Sequence, residues 1–189
     1  MTTVGPFTFE EYLEEVRRFH SYPAPGVILG GFMVAAAMER MPSGILYNGV
    51  SETPFCLPDA IQLLTPCTIG NGWLSVLHFG RFALALYQKE TGEGVRVSLD
   101  HEKLEAFPEL KSWFLKLKPK GCHKEDLLLR EIREAGPLIL RVRPVRVDVE
   151  LLRLPKKKRI AICPSCGESY PEEHGSPCLG CRGQSPYLL

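Results

Sequence analysis

Two C-x-x-C pairs, Cys163-Pro-Ser-Cys166 and Cys178-Leu-Gly-Cys181, stand eleven residues apart near the end of the chain. Each such turn aims two thiolates at one point, and four soft ligands make the tetrahedron that zinc prefers. Gly167 after the first pair and Gly180 inside the second are expected to supply the positive φ of each knuckle. A segment this small cannot fold on apolar burial alone, so metal binding and folding are expected to be one event. Four thiolates leave no open coordination position. The expectation is one structural zinc per chain, held by Cys163, Cys166, Cys178 and Cys181, in a zinc ribbon or treble clef. Redox dithiols and an iron–sulfur cluster are the competing uses of such cysteines. His174, between the pairs, is the competing ligand, but four cysteines in register are the simpler set.

The whole chain has 189 residues, enough for one ordinary domain and a small appendage. Its 44% apolar and 24% charged residues are those of a globular protein. With 23 basic against 22 acidic side chains there is no broad positive field, so nucleic acid is not an expected partner. No run reaches the roughly 20 apolar residues of a membrane span; the best, Val27 to Met38, contains Gly30 and Gly31. The first residues lack the basic-then-apolar pattern of a signal peptide, and the expectation is a cytoplasmic protein away from membranes. Seven cysteines agree with that, since four have metal spacing and an odd total speaks against a full disulfide framework.

Along the front of the chain, Thr8 and Glu11 form a capping box for a helix running to about Phe19. Pro23-Ala24-Pro25-Gly26 breaks it, and a second helix from Val27 to about Arg40 is apolar on most faces, as a buried central helix would be. Ile45 to Val50 reads as a strand and Leu57 to Leu64 as a short helix with Pro58 in its first turn. Gly70-Asn71-Gly72 is a turn. Strands are expected at Leu74–His78, Phe82–Tyr87 and Val95–Leu99, the last two joined through Gly92-Glu93-Gly94. His101 to Leu117 reads as helix interrupted near Pro108. Lys124 to Ala135 is an amphipathic helix with Leu127, Leu128, Ile132 and Ala135 inward. Leu138 to Val149 alternates apolar and basic residues, a half-buried strand kinked at Pro144. A Pro-and-Lys linker, Leu154 to Arg159, sets a boundary between an α+β domain over residues 1–154 and a finger over 155–189.

The stretch Ser51-Glu52-Thr53-Pro54-Phe55-Cys56-Leu57-Pro58-Asp59-Ala60-Ile61-Gln62 carries the front domain's chemistry. Cys56 precedes a helix, where the N-terminal dipole lowers a thiol pKa, while Asp59 opposes that by its charge. The expected balance is an accessible, modestly activated thiol. Cys67 sits at the far end of the same helix, too distant for a direct disulfide across an unbroken helix of roughly 15 Å. His20 at a helix end completes the candidate pocket with Cys56, Asp59 and Cys67. Asn71 reads as a turn residue, Cys122 as a surface or packing thiol, and Trp73 and Trp113 as core anchors.

That stretch, continued by Cys67-Thr68-Ile69-Gly70, resembles the FmdE-like family of formylmethanofuran dehydrogenase proteins: a strand, a cysteine, an Asp-Ala-Ile-Gln helix and a Cys-Thr-x-Gly turn. Phe19-His20, Pro25-Gly26, Gly80-Arg81 and the terminal cysteine module extend the resemblance over most of the chain. It implies an α+β domain with a mixed five-stranded sheet flanked by helices, a C-terminal treble clef, and a homodimer. The family's front motif is similar to His-Gly-His-x-Cys-Pro-Gly, whereas here the window reads His20-Ser21-Tyr22-Pro23-Ala24-Pro25-Gly26. Two metal-capable side chains are thus replaced by Tyr22 and Ala24, and the front metal pocket is expected to be degenerate. Three functions follow from this reading: an accessory or binding protein of a dehydrogenase complex in one-carbon or molybdopterin redox metabolism, a thiol enzyme using Cys56, or a finger-based adaptor for nucleic acid or protein. Whether the chain is an enzyme is left open by the residues themselves.

Overall fold

Thr8 opens the first helix as the sequence implies. In the computed structural model, which describes residues 2–119, 121–153 and 159–187, its Oγ1 accepts the Glu11 N–H at 3.3 Å and the Glu11 carboxylate accepts the Thr8 N–H at 2.8 Å. Two short strands, β1 (Thr3–Val4) and β2 (Phe7–Thr8), precede helix α1 (Phe9–His20), which buries Phe9, Tyr12, Leu13 and Val16. Ser21 takes a left-handed φ of 72° and ends it. Helix α2 (Pro25–Met38) then runs buried on nearly every side. Glycines let its neighbours close in: a Cβ on Gly30 would stand 2.8 Å from Ala60 Cβ, and one on Gly31 would stand 2.5 Å from the Tyr12 ring.

The sheet is built from β3 (Tyr47–Ser51), β4 (Leu74–Val76), β5 (Ala83–Gln88), β6 (Glu93–Leu99) and β7 (Leu140–Arg146), in the order β4-β3-β5-β6-β7. β3 and β4 are parallel and the other neighbours antiparallel, which makes the five-stranded mixed sheet of an α+β fold. Helix α3 (Leu57–Leu64) is the crossover between the parallel pair. α2 lies against one face of the sheet, over Leu84, Leu86, Val95 and Val97. On the other face Val50, Ala85 and Tyr87 are covered by Val145, Val147 and Leu152.

Some expectations shift. Glu93 and Gly94 belong to β6, and the turn closes earlier, at Gly92 with φ 75°. Gly94 serves close approach instead, since a Cβ there would strike the Leu86 carbonyl of the paired strand. Leu138 lies exposed in a tight 3₁₀ turn from Gly136 to Ile139, so the strand begins only at Leu140. Pro144 is tolerated because β7 is an edge strand. The region around Pro108 divides into a 3₁₀ turn, Lys103–Ala106, and helix α4 (Pro108–Phe114). Helix α5 (Glu125–Ala135) buries Leu128, Ile132 and Ala135, while Leu127, expected inward, is not among its buried residues. It also buries Glu131, whose carboxylate accepts the Leu110 N–H in the first turn of α4 at 2.8 Å.

Two compact units divide the chain, residues 1–152 and 153–189. The second contains the hairpin β8 (Ile160–Ile162) and β9 (Ser169–Pro171) around the first cysteine pair. Most of the expected linker, residues 154–158, lies outside the described residues. Among the described residues no single helix is long and apolar enough to cross a membrane; α1 and α2 reach that length only together, across a 120° bend.

Candidate functional site

The front site begins where β3 hands the chain to α3. Ser51 Oγ donates to the Thr53 carbonyl at 2.6 Å, and the Phe55 N–H donates to Thr53 Oγ1 at 3.3 Å. Glu52, nearly fully buried, anchors this approach: Arg96 grips it at 2.6 and 2.8 Å and Arg81 at 2.6 Å. Burial alone would raise the Glu52 carboxyl, but the two guanidiniums prevail and hold it below its ordinary range. The chain then reverses at Cys56, with φ 59° and ψ −52° and the Leu57 N–H donating to the Phe55 carbonyl at 2.6 Å. This is a γ-turn of the strained, positive-φ kind. Across from it, Gly26 opens α2, and a Cβ there would stand 2.6 Å from Cys56 Sγ. The thiol therefore sits in a slot that only glycine leaves open.

Cys56 lines a cavity of about 800 Å³. Phe55, Phe82, Trp113 and Phe114 supply its aromatic surfaces, with Phe82 and Phe114 edge to face at 5.7 Å. Trp113 is thus a wall of the cavity as well as a core contact.

Of the four sequence candidates, Cys56 lines the cavity, Asp59 acts on it electrostatically without lining the cavity, and His20 reaches only Asp59. His20 Nδ1 lies 2.5 Å from Asp59 Oδ2, joining the end of α1 to the first turn of α3. Burial pushes the Cys56 thiol above its ordinary value, and the Asp59 charge adds to that. The expected activation is therefore reversed. A helix start contributes only about 0.3–1 kcal/mol, and half-burial beside a carboxylate outweighs it. Cys67 does not join the site. It is fully buried, donates to the Tyr47 carbonyl at 3.4 Å and does not line the cavity. It is a packing thiol. Tyr22, at the position of the family's second histidine, leans on the His20 ring at 5.1 Å between centroids. His20, Asp59 and Cys56 do not bring three donor atoms within 4.8 Å of one another. Asn71 is the turn residue expected, its Oδ1 accepting the Thr68 and Trp73 N–H groups, and Cys122 is exposed.

Sequence reading missed Glu109. Its position in the first turn of α4 looks solvated, yet it is 6% exposed. Its carboxylate accepts Lys118 Nζ at 2.7 Å, the Lys124 N–H at 3.0 Å and His123 Nδ1 at 3.1 Å. These contacts hold Lys118 and His123 at the cavity's edge, which Lys116 also lines. Lys118 first, then the Lys124 amide and His123, hold the Glu109 carboxyl down at about 2. A depressed carboxyl contributes fully above its ordinary 4.5 and loses its contribution as pH falls through about 2. The protection factor of the Lys124 amide, its exchange relative to the intrinsic rate at the same pH, is expected to hold to about pH 4 and to fall away as pH approaches about 2; loss already above about pH 5 would contradict the assignment.

The finger brings four sulfurs together. All Sγ atoms of Cys163, Cys166, Cys178 and Cys181 lie within 4.8 Å of one another, with Cys163–Cys181 at 3.9 Å and Cys166–Cys178 at 3.8 Å. Tetrahedral Zn–S bonds of about 2.3 Å place sulfurs about 3.8 Å apart, so the residues fit the ion. The Cys178 N–H donates to Cys163 Sγ at 3.4 Å, and this amide, with that of Cys166, draws the Cys163 thiol down to about 6. The first knuckle closes as expected, with Gly167 at φ 77° and its N–H on the Cys163 carbonyl. The second does not use Gly180, which starts a short helical turn; Gly183 takes the positive φ, 85°, in its place. His174 stays outside the sulfur cluster and accepts Arg182 through its carbonyl.

The family model described as FmdE, Molybdenum formylmethanofuran dehydrogenase operon, matches residues 19–147, the span that holds the cavity. The chain belongs to the FmdE family. A second family model, the FmdE treble clef zinc finger, matches residues 155–188 and covers the sulfur cluster. This FmdE chain is similar to a tungsten formylmethanofuran dehydrogenase FmdE-like protein from Syntrophus aciditrophicus, known from its crystal structure. The two share 52% identity and a TM-score of 0.92 over 99% of this chain and 98% of that one. It is also 28% identical, over 82% of its length, to a probable S-adenosyl-L-methionine-binding protein from Archaeoglobus fulgidus. The match takes in 48% of that protein, so the chain spans about half the length of this curated relative.

Proposed function

We propose that this FmdE-family chain is a small-molecule-binding accessory protein of a formylmethanofuran dehydrogenase-type system in one-carbon redox metabolism. It works in the cytoplasm with a degenerate front metal pocket and one structural zinc in the finger. The observation that carries this reading is the aromatic cavity of about 800 Å³ whose one thiol, Cys56, is disfavoured as a thiolate. That volume suits a small ligand. The name of the A. fulgidus relative supports ligand binding, and that of the S. aciditrophicus protein supports the dehydrogenase link. His20 and Asp59 hold each other and leave Cys56 without a third ligand, which supports a pocket no longer used for metal. We also propose a homodimer. Exposed Ile160, Ile162 and Tyr187 give the finger apolar surface that a second copy would cover.

A second reading, a thiol enzyme, is favoured by the strained turn at Cys56 beside the His20–Asp59 pair. Mass spectrometry separates the two. Under native conditions the protein is expected at twice its 21.2 kDa chain mass, with a small molecule that leaves on denaturation. An adduct that survives denaturation on Cys56 would transfer the assignment to the enzyme, and a monomer would remove the dimer.

A further inference from the structure

We infer that the cavity takes a phosphorylated, flat aromatic ligand of about nucleotide size, its ring held by the aromatic walls and its phosphate by Lys116 and Lys118. The inference rests on the small-molecule reading of the same cavity and names the ligand's class. The charged groups lining the cavity are of one sign: Lys116, Lys118 and the ionisable His123, with no carboxylate among them. The nearby acid, Glu109, already accepts three donors from the loop and does not line the cavity. Among the described residues the Lys116 ammonium is in no ion pair. Its backbone is held at φ 54°, a conformation that a lysine adopts only when the surrounding loop imposes it. Lys118 pairs with Glu109, yet its side chain is 42% exposed, so the ammonium keeps donors to spare. Among the described residues no arginine lines this cavity, so an anion there is held by lysine point charges, a recognised mode of phosphate binding, and not by a guanidinium fork.

The apolar half of the ligand follows from the walls. Phe55 is 75% exposed at the cavity, a ring that the fold leaves bare, and Trp113 stands 6.4 Å from Phe114 beside it. Exposed aromatic faces of this kind stack flat rings of any base and gain tightness for each ring stacked. A cavity of about 800 Å³ has room for ring, linker and phosphate together.

The test titrates the full, zinc-loaded chain with two matched pairs, naphthyl phosphate with naphthol and adenosine monophosphate with adenosine, and with inorganic phosphate alone. In at least one pair the phosphorylated member is expected to bind about tenfold more tightly than its bare partner. Lys116→Met and Lys118→Met should each weaken that member severalfold and leave the bare one unchanged. Lys116→Met is the safer variant, because it breaks no ion pair. Equal binding of both members in both pairs would overturn the phosphate inference while leaving the small-molecule reading in place. Inorganic phosphate binding as tightly as the phosphorylated aromatics would overturn the aromatic half. Failure of every probe to bind would overturn the inference and the reading beneath it.

Discussion

Cys163→Ser, or zinc removal by a strong chelator, is expected to unfold the finger and leave the front domain folded. Among the described residues of the finger, Cys163 is the one buried residue. Ile160, Ile162 and Tyr187 lie open to solvent, so apolar burial does almost nothing to hold β8 and β9 together. What remains is the metal. Structural zinc contributes about 10–16 kcal/mol in comparable small modules at neutral pH, far more than a hairpin of this length can supply. Losing one of four ligands also leaves Gly167 and Gly183 in turns with nothing to close on. Hydrogen exchange should show protection lost at Ile160–Ile162 and at Ser169 and Tyr170 while α2 and β3 to β7 keep theirs. The separate core of residues 1–152 is the reason for the second half of that result. Loss of protection throughout the chain would mean that the front domain depends on the finger.

Gly31→Ala is expected to destabilise the front domain strongly. Helix propensity alone would favour alanine by about 1 kcal/mol. Here the new methyl would stand 2.5 Å from two Tyr12 ring carbons and 2.6 Å from its hydroxyl oxygen. The ring cannot retreat: Tyr12 is fully buried and its hydroxyl donates to the Val27 carbonyl at 3.2 Å. Either α1 moves off α2 or the ring leaves its rotamer, and overpacking of this kind costs about 3 kcal/mol. For a domain of this size that lowers Tm by roughly 10 °C. Thermal unfolding of the variant checks it, and a Tm at or above that of the parent would show that the helices are not in the contact described. Tyr12→Phe does not relieve the clash, because the ring carbons remain.

How much of this was legible in the sequence depended on how local each feature is. Thr8 and Glu11 specify their capping box three residues apart, and Leu57 to Leu64 forms its helix between a γ-turn and Thr65 as the pattern implies. The sulfur cluster was readable because both cysteine pairs and their spacing lie in one short segment. The cavity was not. Its walls come from the turn before α3, from Phe82 and from the end of α4, and nothing in sequence order joins Phe55 to Trp113. Cys56 and Cys67 look alike on paper, one at each end of α3, but only depth in the fold separates a cavity thiol from a packing thiol. Glu109 reads as an ordinary acidic residue at a helix start, since its partners Lys118, His123 and Lys124 arrive nine to fifteen residues later. The sign of the Cys56 shift was misjudged for the same reason. A helix start is visible in sequence, whereas the burial that overrides it is not.

The front cavity is proposed to bind its ligand without thiol chemistry. Alkylation of Cys56 against pH, in the zinc-loaded protein with Cys56→Ser as the blank, tests this most directly. The expected result is an apparent pKa above the thiol's ordinary value of 9, falling in Asp59→Asn because the second of its two causes is removed. An apparent pKa near about 6, in the range of activated cysteines, would contradict it and make Cys56 a nucleophile.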